Sequence, residues 1–359
     1  MTNNNQKLRI KDIAILAGVS EGTVDRVLHN RGDVSVKSRE AVTKVLEEMN
    51  YSPNLLARSL ASKKHYHFIC LFPTFQQGEY WELVDKGFDI AAQEFMHHNV
   101  IIEKLNFNQY DTQSFVNISN TIFDKNPDSV FIAPLFKNET IGLTSKLSEQ
   151  NIPFSFIDST IDEADFVTYY GQNSFKSGYI AAKLLFASLS EGSQIIVIRT
   201  KRKGSVSNQT LSRHSGFMQF ISDKQLDNKF EILRVELSNS DEEENLESLS
   251  RMFEIHSNIK AAITFNSKVY ILASLLEKIN HSEIRLIGYD LLDENVKYLE
   301  EGIVNFLIAQ RPNKQAYFTV RDMCRKLIFN QEIKKINYVP IDILMKENIE
   351  DYLQFSMYI

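Results

Sequence analysis

Strand-like and helix-like segments alternate along most of this chain, from about residue 66 to residue 309. The strand-like segments are short apolar runs rich in β-branched and aromatic residues. Between them, apolar residues recur at helical spacing, as at Val84, Phe88, Ala91 and Phe95. Repeated strand-helix-strand order predicts parallel sheets with helices on both faces. The nine predicted strands span residues 68–72, 100–105, 130–133, 154–157, 195–199, 232–237, 261–265, 284–288 and 304–309.

The number of strands indicates how this body is divided. Nine strands favour two lobes over one wide sheet, and a ligand cleft is then expected between the lobes at the carboxyl ends of the strands. The chain of 359 residues also exceeds one ordinary hydrophobic core, and its 43% hydrophobic content can fill two or three. We therefore predict an α/β body of two doubly wound parallel-sheet lobes.

The first fifty residues carry helical spacing only. Ile10, Ile13, Ala14 and Ala17 form one apolar helix face, and a glycine follows them as a stop signal. A second helix begins almost at once and lasts about two turns, and a third spans about residues 36–49. Two short helices joined by a turn that contains glycine predict an all-α helix-turn-helix head.

The two regions differ in charge. Residues 1–65 hold eleven Lys and Arg against seven Asp and Glu, a formal charge of +4, whereas the remainder carries −10. A basic head on an acidic body suggests a polyanionic partner for the head alone. A solvated helical face would show the same charge, so both interpretations stay open on charge alone.

Residues 10–61 resemble the DNA-binding head of the lactose-repressor (LacI/GalR) transcription factors. The shared features are the turn Ala17-Gly18-Val19-Ser20, the pairs Thr23-Val24, Arg26-Val27 and Val34-Ser35, Arg39, and the segment Asn50-Tyr51-Ser52-Pro53-Asn54. The resemblance implies a DNA-binding domain over residues 1–51, a hinge helix and linker over 52–65, and a ligand-binding and dimerisation domain over 66–359. It also implies that two chains bind a palindromic double-stranded DNA operator as a homodimer.

Several residues of the head are candidates for DNA contact. A helix that starts at Ser20 can lie in the major groove with its first turn nearest the base edges, and Arg26 can bind guanine in a bidentate contact. Pairing of Arg26 with Asp25 or Glu21 on a plain surface is the alternative. The candidates in the head are Ser20, Glu21, Gly22, Thr23, Arg26, Asn30 and Ser35.

The hinge is a short segment with its own helix-start signal at Ser52 and Pro53. About nine residues are too few for a stable isolated helix, so this segment is expected to fold when it pairs on DNA. The resemblance implies that two hinge helices enter the minor groove, with Leu60 as a wedge between base pairs. An amphipathic linker packed on the body is the alternative. The hinge candidates for DNA contact are Asn54, Ala57 and Leu60.

The resemblance also supplies a topology for the body, that of a periplasmic-binding-protein-like core with three crossovers between the lobes. The crossovers are expected near residues 166–171, 288–292 and 310–312. They place residues 66–165 and 291–310 in the first lobe, and residues 166–290 and 311–359 in the second.

Polar and aromatic residues follow several predicted strands. Tyr80 and Trp81 follow the first strand, and Asp158 directly follows the fourth. A flat aromatic ring offers a sugar its apolar face, and carboxylates and arginines bind hydroxyls by charge-assisted hydrogen bonds. Packing of Trp81 in its own helix and helix capping by Asp158 stay open as alternatives. The resemblance implies four further cleft residues: Arg213, Asn266, Asp290 and Gln310.

Signatures of catalysis are missing from the sequence. It contains no GxGxxG after a strand, no GxSxG, no HExxH and no paired-cysteine metal spacing, so no catalytic residue, metal or cofactor is expected. The N-terminus has no apolar signal segment, and no run approaches the roughly 18 apolar residues of a membrane span. We therefore expect a soluble, cytoplasmic protein without membrane contact.

Together these patterns predict a DNA-binding regulator, expected to be a repressor, that senses a small molecule, a sugar or sugar derivative, in the cleft between its lobes. A solute-binding transport protein and an α/β enzyme acting on a sugar are the alternatives. The basic loop at residues 199–210 is expected to form a lip over the cleft, and a role in binding phosphate stays open. Residues 346–359 lack the leucine heptad of a tetramerising tail, which favours a dimer.

Overall fold

The computed structural model describes residues 10–28, 32, 34–48, 64–200, 207–238 and 241–356. The chain divides into two compact units, Met1–Ser62 and Lys63–Ile359. The candidates Asn30, Asn54, Ala57 and Leu60 lie outside the described residues. Within the described residues, no helix is long and apolar enough to cross a membrane.

The first unit contains three helices around a small core of its own. They are α1 (Ile10–Ala17), α2 (Glu21–Leu28) and α3 (Val36–Glu48). Gly18 ends α1 in the left-handed region, at φ 66°, where a side chain would be strained. The core consists of Ile13, Ala14, Val24, Val42 and Val45.

The second unit contains two lobes, each built on a six-stranded sheet. The first lobe has the strand order β11-β5-β4-β3-β1-β2, and all of its strand pairs are parallel. Its strands are β1 (Tyr66–Pro73), β2 (Val100–Phe107), β3 (Ser129–Ile132), β4 (Phe154–Ile157), β5 (Tyr169–Gly171) and β11 (Ile336–Tyr338). Its helices are α4 (Tyr80–Phe95), α5 (Thr112–Asn120), α6 (Lys137–Glu149) and α12 (Pro312–Leu327), with short 3₁₀ turns at Met96–His98 and Phe123–Lys125.

The second lobe has the strand order β12-β10-β9-β8-β6-β7, in which β12 alone among the described strands is antiparallel to its neighbour. Its strands are β6 (Gln194–Thr200), β7 (Glu231–Leu237), β8 (Ile259–Thr264), β9 (Arg285–Tyr289), β10 (Phe306–Ala309) and β12 (Asp342–Leu344). Its helices are α7 (Ser174–Phe186), α8 (Asn208–Asp223), α9 (Glu242–Ile255), α10 (Val269–Lys278), α11 (Asp293–Glu300) and α13 (Ile349–Ser356).

Both faces of the second sheet are buried, as its apolar sequence requires. Alternate residues of a strand point to opposite faces, so Ile196 and Ile198 of β6 belong to one hydrophobic core and Ile195 and Val197 to the other. All nine predicted strands are confirmed, and the fold class is the predicted one. The sequence pattern missed β5, β11 and β12, which are only three residues long.

The predicted division of the lobes is wrong in two places. Residues 291–310 were assigned to the first lobe, but β10 pairs in parallel with β9 and so belongs to the second sheet. Residues 311–359 were assigned to the second lobe, but residues 312–338 belong to the first, because α12 packs on α4 and β11 pairs with β5. The following β12 and α13 lie in the second lobe, as predicted. The chain therefore crosses between β5 and α7, between β10 and α12, and between β11 and β12. The crossover predicted near residues 288–292 does not occur.

Candidate functional site

The first turn of α2 presents the predicted DNA-reading residues. The Ser20 Oγ accepts a hydrogen bond from the Thr23 backbone N–H at 3.2 Å and lies 2.9 Å from the Thr23 Oγ1. This cap fixes the start of the helix and leaves Glu21 and Gly22 exposed. The Arg26 Nε donates to the Gly22 carbonyl oxygen at 3.1 Å, so the exposed guanidinium lies back over the first turn. An exposed cation beside a bare glycine backbone can approach a base edge or a phosphate.

Ser35 has the same capping role at the start of α3. Its Oγ accepts from the Ser38 N–H at 3.2 Å and donates to the Ser38 Oγ at 2.9 Å. The residue is exposed, so its hydroxyl can also contact a phosphate.

A cleft lies between the two lobes of the body, where the loops after β1, β2, β3, β4, β6, β8 and β9 meet. Five of the seven predicted ligand residues line it, namely Tyr80, Trp81, Asp158, Asn266 and Asp290. The other described residues of the lining are Glu79, Gln109, Tyr110, Leu135, Ser207, Gln209, Thr210, Ser267 and Lys268. These five residues therefore lie together at the carboxyl ends of the strands, where ligands of such folds are expected.

A chain of hydrogen bonds crosses the cleft. The Tyr80 hydroxyl donates to the Asp158 Oδ1 at 2.8 Å, and the Gln209 Nε2 donates to the same oxygen at 3.0 Å. The Gln209 Nε2 also lies 2.9 Å from the Gln310 Oε1, and the Gln310 Nε2 donates to the Asp290 Oδ1 at 2.8 Å. Because Asp158 belongs to the first lobe and Gln209 to the second, this chain holds the lobes together. Gln310 lies behind the lining, and Gln209 was missed by the sequence patterns.

Arg213 lies beneath the cleft, only 1% exposed. Its NH1 donates to the Phe265 carbonyl oxygen at 2.8 Å, and its guanidinium carbon lies 3.9 Å from the centroid of the Tyr289 ring. Its Nε and NH2 are buried and have no hydrogen-bond partner among the described residues. Buried donors are normally paired, so these two N–H groups point to a ligand as their partner.

The two cleft aspartates share an unusual backbone. Asp158 and Asp290 follow β4 and β9 with φ angles of 69° and 71°, in the left-handed region that most residues avoid. Asn295 supports the second of these turns, because its Nδ2 donates to the carbonyl oxygens of Ser267, Tyr289 and Asp290 at 2.8–3.1 Å. Strain of this kind concentrates at functional sites, where the surrounding structure maintains it.

Burial sets the protonation behaviour of these groups. It raises the pKa of Asp290 to about 6, although the Arg213 guanidinium and the hydrogen bond from Gln310 oppose the shift. Burial and the neighbouring Asp158 carboxylate raise the pKa of the Tyr80 hydroxyl well above its ordinary value, so it remains a hydrogen-bond donor. Asp290 is therefore ionised at neutral pH but protonates more readily than an exposed aspartate.

An ion pair closes one side of the cleft. The Lys268 Nζ of the second lobe lies 3.0 Å from the Glu79 Oε1 of the first. Burial would lower the pKa of Lys268, but the hydrogen bond and charge of Glu79 outweigh it and raise that pKa. Neither residue was predicted, although Glu79 directly precedes Tyr80 and Lys268 lies two residues after Asn266.

Trp81 is largely buried at the cleft wall. Its ring packs edge-on against Tyr80, with centroids 5.2 Å apart and an interplanar angle of 85°. The residue thus packs in its own helix and also lines the cleft. The described residues contain no group of three His, Cys, Asp or Glu side chains that could hold a metal ion.

The comparisons with known proteins agree with this architecture. Residues 69–331 match the family described as "Periplasmic binding protein domain", and residues 9–54 match "Bacterial regulatory proteins, lacI family". A solved Bacteroides fragilis structure, assigned to the LacI transcriptional regulators, is 39% identical, with a TM-score of 0.75, and covers 80% of this chain and 100% of its own. The chain belongs to the LacI family. This confirms the resemblance found in the sequence.

Two curated relatives of this LacI-family chain show how far the similarity extends. Catabolite control protein A of Streptococcus mutans is 32% identical over 36% of this chain and 37% of its own length. The ribose operon repressor of Lactococcus lactis is 24% identical over 78% of this chain and 80% of its own length. The matches to the first curated relatives span 37% to 52% of those proteins.

Proposed function

We propose that this LacI-family chain is a transcriptional repressor that binds a palindromic operator as a homodimer and responds to a small carbohydrate held between its lobes. The observation that carries the proposal is the cleft itself. Its lining combines three carboxylates, three amide side chains (Gln109, Gln209 and Asn266) and a tryptophan at the meeting edge of two sheets. Such a set of polar groups with an aromatic wall suits a polyol.

The names of relatives support the same class of ligand. The similar Lactococcus lactis protein is a ribose operon repressor, and another relative, from Staphylococcus xylosus, is a sucrose operon repressor. The proposal contains no catalytic step, and it places the protein in the cytoplasm with its operator.

Coupling between ligand and DNA follows from the closed arrangement of the lobes. Gln209 bonds to Asp158, and Lys268 pairs with Glu79, across the cleft. A ligand that binds more tightly to this arrangement than to an open one shifts the population toward closure. By linkage it changes operator affinity only as far as the two arrangements bind DNA differently.

Operator reading is tested with Arg26→Ala. An operator is first selected from random DNA, and affinities for it and for a scrambled duplex are then measured by fluorescence anisotropy. Loss of a base contact should reduce discrimination by about 1–3 kcal/mol, or roughly 5- to 150-fold. Lys11→Ala, which removes an exposed charge from α1, should weaken binding to the operator and to the scrambled duplex by the same factor. Unchanged discrimination in Arg26→Ala would show that α2 does not read the operator through this residue.

The ligand site is tested with Arg213→Ala in calorimetric titrations of a binding sugar. Removal of two unpaired buried donors should lower affinity at least tenfold. Arg234→Ala, on the exposed side of β7, is the matched control and should leave the sugar affinity unchanged. Intact affinity in Arg213→Ala would exclude this residue from the site.

A further inference from the structure

The charges around the cleft nearly cancel, but not completely. Three carboxylates face the cleft or its floor, from Glu79, Asp158 and Asp290, against the two cations Lys268 and Arg213. Over these described residues the formal charge at neutral pH is −1. Lys268 is already paired with Glu79 at 3.0 Å, so it is not available as a free cation for a ligand.

Among the described residues of the cleft and its floor, Arg213 is the remaining cation, and both aspartates lie near it. Both Arg213 and Asp158 act on the pKa of Asp290, in opposite directions, so the three groups lie within electrostatic range of one another. The helix α4 begins at Tyr80, which lines the cleft, and a helix N-terminus favours negative charge. The protein's own carboxylates already supply that charge. An anionic ligand would add negative charge to a cleft whose described residues already carry a formal charge of −1.

The free hydrogen-bonding capacity is of two kinds. The Nε and NH2 of Arg213 can only donate, and neither has a partner among the described residues. Asp290 can only accept, and its Oδ1 is taken by Gln310, whereas none of the hydrogen bonds among the described residues uses its Oδ2. A hydroxyl group donates and accepts at once, so neighbouring hydroxyls match this mixture. Ionised phosphates and carboxylates only accept, so they would satisfy Arg213, leave the Asp290 Oδ2 without a donor and be repelled by both aspartate charges.

We propose that the ligand of this cleft is an uncharged polyhydroxy compound, a neutral sugar, and that sugar phosphates and sugar acids are excluded. This inference rests on the proposed function, because it specifies the ligand of the same cleft. The Glu79–Lys268 pair has a defined part in the exclusion. It occupies Lys268, the lysine of the described cleft lining that a phosphate would otherwise use as its counter-ion.

The test uses the full-length protein and matched series of sugars. Ribose and glucose, ribose 5-phosphate and glucose 6-phosphate, and ribonate and glucuronate are screened by thermal shift, followed by other pentose and hexose series, and binders are titrated by calorimetry. Each neutral sugar that binds should do so on the order of 100-fold more tightly than its charged derivatives. A phosphate or acid that binds as tightly as its neutral parent overturns the inference and leaves the proposed function standing. If no member of any series binds, carbohydrate sensing itself is refuted and the inference falls with it.

A charge variant tests the cause of the exclusion. Glu79→Gln releases Lys268 and makes the cleft formally neutral, so the ratio of neutral-sugar to sugar-phosphate affinity should fall about tenfold. Glu82→Gln is the matched control. Its carboxylate lies one turn along the same helix, bonds to the Gly78 N–H and Lys86, and does not line the cleft, so the ratio should not change. A ratio in Glu79→Gln equal to that of the unmodified protein would refute the electrostatic argument.

Discussion

The helices α7 and α8 of the second lobe pack so closely that a single methyl group added at their contact should push them apart. At Gly178 in α7, a Cβ atom would lie 1.8 Å from the Arg213 carbonyl oxygen in α8 and 2.6 Å from its carbonyl carbon. Ordinary contact begins at 3.4 Å, so Gly178→Ala requires the backbones to separate by about 1.6 Å. Because the obstacle is backbone, no change of rotamer relieves it. The displaced residue is Arg213, whose guanidinium lies beneath the cleft.

The magnitude follows from two opposing effects. Overpacking of this kind costs about 1–3 kcal/mol, and contact with backbone favours the upper end. Replacement of a helical glycine by alanine stabilises the helix by about 1 kcal/mol, because alanine has the higher helix propensity. The net expected loss for Gly178→Ala is therefore about 2 kcal/mol. Gly142→Ala, in the middle of α6, has nothing within 4 Å of its Cβ and should gain about 1 kcal/mol.

The two variants thus form a matched pair with opposite expected signs. Their melting temperatures should differ by roughly 6 °C or more in scanning fluorimetry, with Gly178→Ala the lower. Sugar affinity, measured by calorimetry, should fall at least tenfold in Gly178→Ala, because the movement of α8 carries Arg213 away from the cleft. Gly142→Ala should bind as the unmodified protein does. Equal stability and equal affinity in the two variants would refute the claim that close helix packing positions Arg213.

Two further predictions concern burial. Burial raises the folded-state pKa of Asp290 from its ordinary 3.8 to about 6. Protonation of Asp290 therefore stabilises the folded state, and this contribution to the free energy of unfolding is lost as the pH rises from about 4 to about 6. The free energy of unfolding of Asp290→Asn, measured in urea relative to the unmodified protein, should therefore be about 1.4 kcal/mol higher at pH 7.5 than at pH 5. The exposed control Asp227→Asn should show no such change. A difference between Asp290→Asn and the unmodified protein that does not depend on pH would contradict the assignment. Ile13→Ala removes a fully buried side chain from the head and should cost about 2–5 kcal/mol, most of the stability of so small a unit. Operator binding should disappear while sugar binding persists, whereas exposed Ile15→Ala should leave the melting of the head unchanged in circular dichroism.

Much of the fold could be predicted because a short run of apolar residues shows by itself that the segment is buried. A strand buried on both faces must be continuously apolar, as 68–72 and 195–198 are, and this signal does not depend on the rest of the chain. The same logic located the cleft, since polar residues directly after buried strands gather at one edge of a parallel sheet. Asp158 was expected at the cleft for this reason, and Asp290, which the resemblance implied, also directly follows a buried strand.

The assignment of strands to lobes could not be predicted in the same way. Both lobes repeat one local pattern, so only the pairing of β10 with β9 shows that residues 291–310 stay in the second lobe. The strands β5, β11 and β12 are too short to show any period. β11 and β12 flank the third crossing, between residues 338 and 342, which the sequence patterns therefore missed.

Some cleft residues depend on contacts that no local pattern shows. Gln209 is an ordinary polar residue near a helix start, and its role appears only when the lobes meet and its amide reaches Asp158. The same holds for Glu79 and Lys268, which are 189 residues apart in the chain. Arg213 was expected at the cleft from the resemblance, but its near-complete burial and unpaired donors are properties of the close contact between α7 and α8.

The three crossings between the lobes are also bonded to one another. The Gln172 Nε2 donates to the Ala309 carbonyl oxygen at 2.9 Å, which joins the first crossing to the second. Arg311, just after β10, forms a two-pronged ion pair with Asp342 at 2.6 and 3.0 Å, which joins the second to the third. Three connections fastened side by side permit bending across their common line and resist twisting or sliding. Substitutions of cleft residues would then change which ligand binds, while the bonded crossings keep the direction in which the lobes close the same for every ligand.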